Sequence, residues 1–135
     1  MPSTVRLSPF TLLTAIRRKE EGHAWIEIYR TENNGHDWEY GGRAVPSTGV
    51  GSNPPSMLRL RDGRLCITYG HRGAPFGICA RISQDAGKTW GDEIMLRQDG
   101  TSTDLGYTRS VERPDGPRRI ARFRTSGVRG SGTIL

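Results

Sequence analysis

Four residues have side chains suited to chemistry and fall in segments that read as loops or strand starts: Arg72, Asp104, Tyr107 and Arg109. A guanidinium offers a planar fork of donors, and a phenol offers a ring face and a hydroxyl. A carboxylate can act as an acid or as a ligand for sugar hydroxyls. Tyr107 and Arg109 are two positions apart, so on one extended strand they point to the same side. Each has a plainer alternative: solvated surface arginines, an ordinary packed tyrosine, and an aspartate that merely shapes a loop. What separates these readings is which segments share one end of the fold.

The elements that position them are legible around residues 83–90, Ser-Gln-Asp-Ala-Gly-Lys-Thr-Trp. Here Asp85 can accept backbone N–H groups further along a turn. Gly87 can take a positive φ, and Trp90 supplies an apolar anchor. Ser83, Asp85, Gly87, Thr89 and Trp90 therefore read as a structural unit that reverses the chain between two antiparallel strands. A weaker copy spans residues 31–38, with Asn33 in place of the aspartate and Asp37 in place of the threonine. Gly35 and Gly87 are 52 residues apart, as are Trp38 and Trp90. A third landmark, Gly63 and Gly116, recurs at 53 residues. A period of about 50 residues suits a unit of four strands.

One repeat is predicted strand by strand: residues 56–60 and 64–69 as a hairpin, then 77–82, then 93–97 after the turn. Residues 10–16 align with the second strand of the preceding unit, and no first strand is evident ahead of them. With 18 Gly, 8 Pro and 33% hydrophobic residues, many short strands are expected rather than helices. Antiparallel geometry puts the two tight turns at one end of the unit. The opposite rim collects residues 70–76 and 98–108, with 17–23 and 42–55 as their first-unit equivalents. That rim holds His71, Arg72, Phe76, Asp99, Asp104, Tyr107 and Arg109, and rim loops are where function concentrates.

Charge and composition narrow the partners. The net charge is +6, and residues 117–135 supply five arginines and no acid. This basic, Gly-rich stretch is expected to be disordered or out of frame; nucleic-acid binding through it ranks well behind. The longest apolar run, residues 10–16, is too short to span a membrane, and no signal peptide is visible. Cys66 and Cys79 lie on neighbouring strands, where they could face each other, and read as buried thiols. His23, His36 and His71 lack partners at metal-ligand spacing, so no metal and no cofactor is expected.

On the octapeptide and its weaker copy, with Tyr-Gly-His-Arg at 69–72 and Asp-Leu-Gly-Tyr-Thr-Arg-Ser-Val at 104–111, the chain resembles sialidase-like proteins of the neuraminidase superfamily with BNR (Asp-box) repeats. The resemblance covers roughly residues 10–116. It implies an all-β fold of β-propeller blades, from a six-bladed propeller of which about two blades are present. Blade one is expected at about 8–52, blade two at about 53–105 and the start of a third at 106–116. It further implies a fragment of a glycoside hydrolase acting on terminal, acidic sugars, in which arginines pair with a sugar carboxylate. Arg72, Arg109, Tyr107 and Asp104 are then the candidate substrate-binding residues. The Arg-Ile-Pro motif of the family is absent, and Asn53-Pro54-Pro55 stands in a comparable place. The alternative is a non-catalytic propeller fragment that binds glycan or protein, with self-association through open blade edges.

Overall fold

The computed structural model describes residues 1–114 in full and two further strands, 119–124 and 129–134, as backbone. The protein is all-β: every described element is a strand, and the strands form three antiparallel sheets. Sheet one has the order β1 (Ser3–Arg6), β2 (Leu12–Glu20), β3 (His23–Thr31) and β4 (Glu39–Val45). Sheet two repeats it with β5 (Ser56–Arg59), β6 (Leu65–His71), β7 (Gly77–Ser83) and β8 (Ile94–Arg97). Sheet three runs β9 (Tyr107–Ser110), β10 (Arg119–Arg124) and β11 (Arg129–Ile134). The described parts of the expected tail are therefore β10 and β11. The expectation for the rest of 117–135, and the Gly116 landmark, lie outside the described residues.

Strand extents differ from the sequence reading at β1 and β2. A strand does precede residue 10: β1 pairs with β2, Thr4 opposite Thr14 and Val5 opposite Leu13. Four residues with one apolar side chain facing the core carry too little periodic signal to be recognised alone. The expected rim loop at 17–23 is not formed. Strand β2 instead continues to Glu20 and turns tightly at Glu21-Gly22, with Gly22 at φ 67°. Its polar end is exposed, and ladder hydrogen bonds need only backbone, so charged residues there do not end the strand.

Sheets one and two pack face to face. Leu13, Ala15, Ile26, Ile28, Ala44 and Val45 of sheet one meet Met57, Leu65, Ile67, Tyr69 and Cys79 of sheet two in one cluster. The second face of sheet two is apolar as well, with Leu60, Cys66 and Ala80 in one group and Ile78 and Leu105 in another. This is why β6 is buried from Leu65 to Gly70 without alternation: both of its faces are covered. Cys66 and Cys79 lie in different clusters, on opposite faces, because Cys79 pairs with Tyr69 and Cys66 with Ile82. They do not face each other, and both thiols are free and buried.

The other face of sheet one is closed by its own polar side chains. The Glu27 carboxylate accepts hydrogen bonds from Trp25 Nε1 and Tyr29 Oη, both at 2.9 Å, with Arg18 Nε 3.5 Å away. The Arg43 guanidinium lies 4.2 Å over the Trp25 ring, and His23 stacks beside that ring at 5.2 Å. A buried carboxylate is tolerated here because donors surround it.

Candidate functional site

The turn at residues 83–90 is built by its own side chains. Ser83 Oγ accepts the Gly87 amide at 2.8 Å and donates to Asp85 Oδ1 at 2.9 Å. Asp85 Oδ1 also accepts the Thr89 amide at 2.8 Å, and the Thr89 hydroxyl donates to Oδ2. Gly87 has φ 85°, and an added Cβ would lie 2.3 Å from Leu13 Cδ2, so the turn tucks against sheet one. Trp90 packs on the shared core. The first turn has the same frame with the chemistry inverted. Asn33 Oδ1 accepts the Asp37 amide at 2.9 Å, and Asn33 Nδ2 donates to Asp37 Oδ2 at 2.7 Å. In one turn the cap residue is the anion; in the other it is the donor to one.

Hydrogen bonds from Thr89 hold the Asp85 carboxyl at about 2, well below its ordinary value of 3.8. The folded pKa is depressed, so this group stabilises the fold above the unfolded value of about 4 and stops doing so as pH falls from there toward 2. A carboxyl-carbon NMR titration should place the Asp85 midpoint near the lower figure. Thr89→Val should move it up by removing the hydroxyl donor; an unshifted midpoint in that variant would refute the assignment.

The strand registers put this turn at the opposite end of sheet two from the start of β5, since Ser83 pairs with Leu65 while Ser56 pairs with Thr68. At that opposite end lies a small cavity of about 60 Å³. It is lined by Met1, Pro2 and Ser3, by Pro54, Pro55 and Ser56, and by Tyr107, Thr108 and Arg109. Each trio is followed by the next at a spacing of 53 residues, so the cavity is where one stretch of the repeat meets itself three times. The starts of β1, β5 and β9 converge there.

The three trios are linked by a repeated device. Ser3 Oγ accepts the Met57 amide at 2.8 Å, and one repeat later Ser56 Oγ accepts the Ser110 amide at 3.0 Å. An oxygen held in this way still has its own O–H to donate. At the third equivalent position stands Arg109, which breaks the serine pattern. Arg109 and Tyr107 are exposed while Thr108 between them is buried, and among the described residues no partner holds the Arg109 guanidinium. Among the described residues no acidic side chain lines the cavity.

Of the residues expected at the site, Tyr107 and Arg109 come together here, whereas Arg72 and Asp104 do not line the cavity. The Arg72 amide donates to Thr48 O at 2.8 Å, its side-chain stem covers Gly51 between the rim segments of sheets one and two, and its Nε is buried without a hydrogen-bond partner among the described residues. Asp104 is exposed in the segment leading to β9. Sequence reasoning missed Ser3, Ser56 and Asn53. Only the 53-residue register would have found them, and the serines carry no signal of their own. It also missed the link in which the buried Tyr69 Oη donates to the exposed Glu93 Oε2; burial raises the Tyr69 phenol far above its ordinary 10. Among the described residues no group of His, Cys, Asp or Glu could hold a metal ion. No described helix is long and apolar enough to cross a membrane.

No family model matches this sequence. A curated relative, the probable L,D-transpeptidase ErfK/SrfK of Salmonella typhimurium, is 31% identical over 122 residues. The match takes in 84% of this chain, which spans 38% of the length of that relative. A protein of unknown function from Dyadobacter fermentans has a crystal structure similar to this chain, with TM-score 0.67 and 30% identity over 98% of this chain and 35% of its own. A mutant α-L-arabinofuranosidase from Fusarium graminearum, solved with an iminosugar inhibitor, aligns at TM-score 0.60 and 15% identity over 99% of this chain and 50% of its own. That second likeness is one of fold alone. The expected sialidase-like, neuraminidase or BNR-repeat membership and the glycoside hydrolase activity are corrected by these findings, since the curated relative is a probable transpeptidase. The physical reason is that the octapeptide is specified by the turn it closes, so it reports a turn and not a chemistry.

Proposed function

We propose that this chain is a non-catalytic, ligand-binding part of a larger protein with a peptidoglycan-related role, and that the cavity at the starts of β1, β5 and β9 receives an acceptor-rich group of a glycan. The curated relative is named for a transpeptidation. Acyl transfer of that kind needs an activated nucleophile beside a base. The two thiols of this chain are poor candidates: burial pushes both Cys66 and Cys79 up to about 12 from an ordinary 9. A binding role therefore fits this stretch better than the reaction itself. We read the three sheets as successive blades of a propeller, with β1, β5 and β9 innermost.

The observation that carries the reading is Arg109, the one cavity-lining position where the serine repeat gives way to a cation. Around it are the hydroxyls of Ser3, Ser56 and Tyr107, all able to donate, and no carboxylate among the described residues. Such a lining favours a carboxylate or other anionic group on the sugar over a cationic one, and the Tyr107 ring offers an apolar face to the sugar. Titration of the chain with soluble muropeptides, followed by NMR, should perturb residues 3, 56 and 107–110. Arg109→Lys keeps the charge but loses the planar fork, so affinity should fall by about tenfold. Shifts that cluster elsewhere, or equal affinity in the Lys variant, would defeat the reading.

A further inference from the structure

Asn53 is fully buried, and both ends of its carboxamide are engaged with other segments. Its Nδ2 donates to Gly106 O at 3.0 Å, and its Oδ1 accepts the Gly70 amide at 3.1 Å. Asn53 immediately precedes Pro54 and Gly106 immediately precedes Tyr107, the first residues of two of the three trios that line the cavity. Positions 53 and 106 are themselves equivalent in the repeat, so one side chain bridges the same point of two successive units. The third segment, Gly70 at the end of β6, is shaped to admit it: a Cβ on Gly70 would stand 2.8 Å from Asn53 Nδ2 and 2.9 Å from Cγ. Glycine is needed there for room, since its φ is not among the positive ones.

We infer that Asn53 is a positioning residue, whose carboxamide fixes the spacing between the Pro54–Ser56 and Tyr107–Arg109 walls of the cavity. The inference rests on the ligand-binding reading for its consequence, although the link itself stands on geometry. The chemistry is specific to a carboxamide. The site presents one carbonyl oxygen and one N–H on opposite sides, and a group with one donor and one acceptor end satisfies both. A carboxylate of the same shape would satisfy Gly70 but would oppose the Gly106 carbonyl with a second acceptor, and an alanine would leave both groups unpaired.

Two variants reach the link from its two sides. Asn53→Asp alters the carboxamide itself, and Gly70→Ala crowds it while leaving Asn53 intact. In both, hydrogen exchange of the amides at 107–110 should quicken by about tenfold, while amides in the β2 and β3 ladder exchange as in the parent chain. Muropeptide affinity should fall by about the same factor, through displacement of Tyr107 and Arg109. Leu65→Val serves as the comparison: it lowers overall stability from a position away from the cavity and should speed exchange without this local pattern. Exchange that quickens evenly along the chain, or not at all, overturns the positioning role. If the parent chain binds no muropeptide, the functional reading falls, and the exchange pattern still judges Asn53.

Discussion

Gly77→Ala should be the most damaging single substitution in the described structure. A Cβ at this position would fall 1.8 Å from the carbonyl oxygen of Arg97 and 2.8 Å from its carbon. Those atoms are backbone, so no rotamer change relieves the clash, and β7 and β8 must part where Ile78 meets Arg97. Overpacking against backbone costs about 3 kcal/mol or more, which is a large share of the stability of a small domain. Gly63→Ala provides the control. Its φ of 89° strains any other residue, but nothing lies within 4 Å of the added methyl. That variant should lose only about 1–2 kcal/mol. Urea denaturation followed by tryptophan fluorescence would compare the two, and equal midpoints would show that β8 is not held closely against β7.

Leu65→Ala is expected to cost about 2–5 kcal/mol. Leu65 has no exposed surface and sits in the cluster that joins sheets one and two, beside Ile67, Tyr69 and Leu13. Removing its three distal carbons leaves a void between two sheets whose ladders fix their spacing, so little collapse is possible. Leu96→Ala, at a partly buried position on the far side of sheet two, should cost visibly less. A loss below about 1 kcal/mol at Leu65 would mean that the sheets are not held together through this face.

The four strands of sheet two were readable from residues 56–97 because turn chemistry marks their ends and apolar runs mark their interiors. What misled was the step from the octapeptide to a family and its activity. Ser83, Asp85, Gly87 and Thr89 satisfy one another, and a self-contained turn is available to any chain that needs one. Tyr107 and Arg109 share a side of β9 by simple alternation, which the sequence does show, whereas their place beside the starts of β1 and β5 depends on how the sheets stack. Arg72 lies on the rim as its turn position implies, but its stem against Gly51 and its amide on Thr48 follow from rim segments packing on each other, which no local pattern shows. In the sequence, Asn53 stands out only as a non-arginine before two prolines. Its bridging role depends on Gly70 and Gly106, 17 and 53 residues away, and such contacts are set by how sheets stack and not by any local pattern.

The inverted pairs in the two turns constrain how one repeat can change into the other. Asp85 with Thr89 and Asn33 with Asp37 each combine one carboxylate with one donor. Starting from the first turn, Asn33→Asp alone would set two carboxylates against each other at the spacing now occupied by a hydrogen bond, and like charges that close repel. Asp37→Thr alone leaves a neutral pair, in which the carboxamide still donates to a hydroxyl oxygen. The passable route therefore changes position 37 before position 33. Copies of this unit that drifted apart after duplication should preserve neutral Asn/Thr intermediates and lack Asp/Asp ones.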